Sequence, residues 1–108
     1  MPMGEYTYKT YKDVYGALTR MRANPVEVTA LLDHERQHFE KARRLGYQPI
    51  YGVRMVPDFP PIIDFGFIGF EGKKPVGQDM IDILLAPDTP GEDDLILAGR
   101  IQSELERI

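Results

Sequence analysis

The sequence contains no cysteine. Disulfides and thiolate metal ligands are thereby excluded, and a reducing, cytoplasmic compartment is the expected home. There is one serine, Ser103, and there are two histidines, His34 and His38. With so few, a serine or cysteine nucleophile with its own histidine base cannot be assembled. No apolar run approaches the length of a membrane span, so no membrane partner is expected. The start, Met1 to Tyr6, lacks a basic region followed by an apolar one, so no signal peptide is expected. Positive charge is also short: 13 Lys and Arg stand against 17 Asp and Glu, for a net charge of −4. That balance argues against nucleic acid as a partner.

What is present suffices for one domain over residues 1–108, with 43% hydrophobic residues for a small core. The charge is uneven. Residues 1–54 carry nine Lys and Arg against six Asp and Glu, and residues 55–108 carry four against eleven. The halves can attract each other within the fold, or between two copies in a homo-oligomer.

The most informative stretch is Leu31-Leu32-Asp33-His34-Glu35-Arg36-Gln37-His38-Phe39. It contains His-Glu-x-x-His. Residues four apart share a helix face, so both imidazoles can point at one metal ion, with Glu35 beside them. At about 100° per residue, Leu31, Glu35, Val28, Phe39 and Leu32 fall on one stripe with His38 inside its edge. Arg36, Arg43, Glu40 and Asp33 fall opposite. A carboxylate in the middle of an apolar stripe must take up a proton or find a partner.

This helix resembles the zinc-binding helix of the zincin metallopeptidases. The resemblance is confined to residues 34–38 and their helix. It implies Zn2+ held by His34 and His38, Glu35 as general base, and a peptide or protein substrate. A catalytic zinc needs a third protein ligand, and with no third histidine it must be an oxygen. Asp64, Asp82, Asp79, Glu92 and Asp58 are the candidates, and no spacing selects among them.

The remaining chain reads as follows. Residues 1–9 show no element. Tyr11, Val14, Tyr15, Leu18 and Met21 form a helical stripe capped by Thr10. Asn24-Pro25-Val26-Glu27 starts the metal-motif helix, which Gly46 ends. Residues 50–56 and 62–70 read as strands, the second central because both its faces are apolar. Residues 79–86 fit a strand or a short helix, and the strand is favoured. Thr89, Pro90 and Glu92 start a last helix over about 90–107, with Leu95, Ala98, Ile101 and Leu105 inward. The expected fold is α+β: two N-terminal helices, an antiparallel sheet of about three strands, and a C-terminal helix. The function expected from the motif is a zinc-dependent hydrolase. The alternative is a non-catalytic module that binds another chain, itself included, through its tyrosine-bearing helix and opposed charges.

Overall fold

The computed structural model describes residues 4–56 and 62–107. In chain order these form β1 (Gly4–Tyr8), α1 (Tyr11–Arg20), α2 (Pro25–Arg44), β2 (Gln48–Val56), β3 (Ile62–Glu71), α3 (Gly77–Leu84) and α4 (Glu92–Glu106). The strands make one antiparallel sheet in the order β1-β2-β3. The class is therefore α+β, as the sequence implies.

The helix ends follow local chemistry. Thr10 Oγ1 accepts the Asp13 N–H at 3.1 Å and opens α1. Asn24 Oδ1 accepts the N–H groups of Val26 and Glu27 at 2.9 and 3.2 Å and opens α2. Gly46, at φ +92°, closes α2. There the Tyr47 N–H reaches Ala42 O at 3.1 Å and the Gly46 N–H reaches Arg43 O at 3.0 Å, the paired bonds of a Schellman end. The same pair closes α1, from Ala23 N–H to Leu18 O and from Arg22 N–H to Thr19 O. Here Arg22, at φ 62°, occupies the left-handed position.

The long helix α2 lies on one face of the sheet. The Phe39 ring stacks on Tyr51, with centroids 4.3 Å apart. Leu31 sits over Gly66, where a Cβ would come within 3.0 Å of its side chain. Val14, Leu18, Val28, Leu32, Val53 and Met55 fill the core beneath and beside these contacts. Each such side chain stabilises the fold by about 1.5–3 kcal/mol through burial. The Leu31–Phe39 side of α2 thus faces the strand of residues 62–71, as its stripe requires.

Four expectations are corrected. Residues 4–8 are a strand: Tyr6 and Tyr8 pack on the core while Glu5 and Thr7 point to solvent. Five residues are too few to show that alternation, and pairing with β2 supplies the stability. The central strand is β2, not β3. The second face of β3 is apolar because Phe67 lies over Gly52, where a Cβ would fall 2.3 Å from the ring. Residues 77–84 are helical. Short apolar runs rich in Ile do not distinguish strand from helix by period. The last helix is capped by Gly91 rather than Thr89. Of its expected inward residues Ala98 is buried, whereas Leu95 is 53% and Leu105 37% exposed.

Candidate metal centre

On α2, His34, Glu35 and His38 face the α3–α4 hairpin. His38 is buried, and its Nδ1–H donates to Ile83 O near the end of α3 at 2.7 Å. That bond fixes the ring, and in a neutral imidazole it puts the lone pair on Nε2. His38 Nε2 stands 3.2 Å from His34 Nε2. Asp94 Oδ2 stands 3.2 Å from each of them. Among the described residues this is the group of three that could hold a metal ion.

Asp94 is placed by its helix. It is the third residue of α4, and its Oδ2 accepts the Gly91 N–H at 3.0 Å. The carboxylate that caps the helix is therefore the one that meets the imidazoles. Two further bonds hold the hairpin to α2 and to the turn that follows it. Gln37 Oε1 accepts the Asp88 N–H at 2.8 Å, and the Tyr47 hydroxyl donates to Asp79 Oδ2 at 2.6 Å.

Three atoms now converge. They are the His38 Nε2, a carboxylate oxygen of Asp94 and the His34 Nε2. Such a set needs a proton on one of the two imidazoles or a cation among the three. Metal–ligand bonds of 2.0–2.2 Å at tetrahedral angles separate zinc donors by about 3.3–3.6 Å. The observed edges of 3.2 Å lie just inside that spacing, and the N,N,O donor set suits zinc.

Glu35 borders the same space. It is 8% exposed. Burial, and secondarily the charge of Asp94, push its carboxyl up to about 7. Among the described residues no buried side-chain oxygen is sealed without a partner, so the carboxylate keeps access to a cleft. That cleft, about 240 Å³, lies between the exposed edge of β3 and the α3–α4 hairpin. Glu35, His38 and Asp94 are its polar lining, and the other walls are apolar.

The oxygen that meets the histidines belongs to none of the acids proposed from sequence. Asp64 bulges from β3, opposite no residue of β2, and pairs with Arg54 at 3.5 Å. Asp82 accepts a bond from Gln78, and Asp79 is held by Tyr47. Glu92 is exposed at the start of α4, and Asp58 lies outside the described residues. Along the chain, Asp94 is one of three consecutive acids, Glu92 to Asp94, that suit a helix N-terminus. Its spacing from Gly91, a cap and its third helical residue, was the available signal.

No family model, no curated protein and no solved structure matches this chain. No helix among the described residues is long and apolar enough to cross a membrane.

Proposed function

We propose that the protein is a zinc-dependent hydrolase of peptide or protein amides, with His34, His38 and Asp94 as metal ligands and Glu35 as general base. The observation that carries this reading is the 3.2 Å triangle of donor atoms bordering the cleft that Glu35 lines. Zinc there would acidify a water molecule and polarise a substrate carbonyl. His38 is held in its ligating tautomer by Ile83 O. Glu35 takes the attacking water's proton and passes it to the leaving amine, a task suited to a group that titrates near neutrality. Its apolar surroundings hold it beside the metal position without making it a ligand.

The test has two arms. Protein purified without added zinc should carry about one equivalent by elemental analysis, and His38→Ala should carry none. Peptide hydrolysis should vanish with chelator and in Glu35→Gln, which keeps its metal. Equal metal in wild type and His38→Ala, or hydrolysis that survives Glu35→Gln, contradicts the reading.

A second reading has its own observation. Leu95 and Ile96 on α4 are 53% and 48% exposed, and Tyr15 on α1 is 46% exposed. These surfaces suit a self-associating module without catalysis. Its mark is a concentration-dependent mass in solution together with no hydrolysis of any peptide.

A further inference from the structure

A second groove lies at the opposite edge of the sheet, two strands away from β3. It measures about 570 Å³, and every residue that lines it belongs to β1, to α1 or to the turn between them. Lys9, Lys12 and Arg20 surround it, and Asp13 is the one acid of its lining. All three cations are exposed, and none of them forms an ion pair among the described residues. Tyr8 and Tyr15 complete the walls. We propose that this groove docks an extended, acidic segment of a partner polypeptide, whose backbone pairs with β1 and whose carboxylates meet Lys12 and Arg20. The inference does not use the hydrolase reading.

Charge selects an acidic occupant. Three positive groups against one negative is a local excess in a chain whose net charge is −4. Spacing selects an extended one. Gly16 has no side chain, and Arg20 Nη1 lies 3.2 Å from where its Cβ would stand. The Arg20 charge is thus folded back to the turn of α1 that follows Lys12. Four residues of helix rise about 6 Å, and alternate side chains of a strand are about 6.8 Å apart. Two acids separated by one residue can therefore reach both cations. The strand selects polypeptide over nucleic acid. The outer edge of β1 pairs with no strand among the described residues, so alternate N–H and C=O groups of Gly4–Tyr8 can take up a further strand. A phosphodiester chain has no N–H groups to offer such a ladder. The eleven acids of residues 55–108 would also repel it.

The probes are three acetylated, amidated peptides and a short single-stranded oligothymidylate, each titrated by NMR at low ionic strength. The peptides are Thr-Glu-Thr-Glu-Thr, the reordered Thr-Glu-Glu-Thr-Thr and the basic Thr-Lys-Thr-Lys-Thr. The alternating acidic peptide should bind most tightly, with shifts on residues 5–9 and 12–20. The reordered peptide carries the same charge but turns only one acid toward α1, so it should bind about threefold more weakly. The basic peptide should not bind. Lys12→Glu combined with Arg20→Glu should weaken the alternating peptide about tenfold or more, with the melting temperature nearly unchanged because both side chains are exposed. Lys73→Glu with Lys74→Glu changes the net charge equally and should leave binding as it is. The proposal is overturned if the alternating peptide does not bind, if both acidic orders bind equally, or if the oligothymidylate binds as well. Equal weakening by the two double variants would overturn it too, since net charge alone would then explain the binding. None of these outcomes bears on zinc or on hydrolysis.

Discussion

Glu35 and Asp94 are single residues whose roles can be separated by small changes. In metal-free protein, Glu35 has its carboxyl raised from 4.5 to about 7. The folded state then holds the proton more tightly than the unfolded chain. Its contribution to stability is therefore present below about pH 4.5 and is lost as pH rises through about 7, by at most about 3 kcal/mol. Urea midpoints at pH 5 and pH 8 with chelator should show the loss in wild type and a flatter profile in Glu35→Gln. Identical pH slopes would show that Glu35 is not the group responsible. At Asp94, asparagine can still accept the Gly91 N–H, so Asp94→Asn should keep the helix cap and weaken zinc by about 10-fold or more, whereas Asp94→Ala should in addition lose about 1 kcal/mol of stability. A variant Asn protein with full metal content would remove Asp94 from the ligand set.

Among the elements, the helix ends were legible and the short apolar segments were not. Asn24-Pro25 and Gly46 act through bonds within a few residues, so their signal lies in the local sequence. The same locality makes Arg22 testable. It sits at φ 62° in a position that favours glycine, so Arg22→Gly should stabilise the protein by about 0.5–1 kcal/mol in thermal unfolding. A destabilised variant would mean that the Arg22 side chain contributes more than the strain costs. The segment at residues 77–84 had no such local signal. Its helical form is supported by contacts with α2 and α4, including the His38 bond to Ile83 O, which no period within eight residues can report.

Across the whole molecule, 49 × 25 × 25 Å in extent, the proposed site joins its loosest part to its most secure. α2 is embedded in the core, whereas α4 packs chiefly on α3 and buries only Ala98. A metal shared by His34, His38 and Asp94 would clamp α4 to α2. At a hundredfold excess over its dissociation constant, zinc should then add about 2.7 kcal/mol to stability. Differential scanning calorimetry should show that rise, and hydrogen exchange should slow in the first turns of α4. A melting temperature indifferent to zinc and to chelator would exclude such a clamp.

The sequence by itself determined the α+β class, the caps of α1 and α2, and the helix face that carries His34, Glu35 and His38. Each of these depends on spacings of a few residues or on the period of one helix. Only the tertiary structure decided that β2 is central, that residues 77–84 are helical, and which acid stands against the imidazoles. Asp94 is 60 residues from His34 along the chain. Of three consecutive acids, helix phase and the docking of α4 turn that one inward. Such a choice is made by packing between distant elements, and the order of residues along the chain carries no direct record of it.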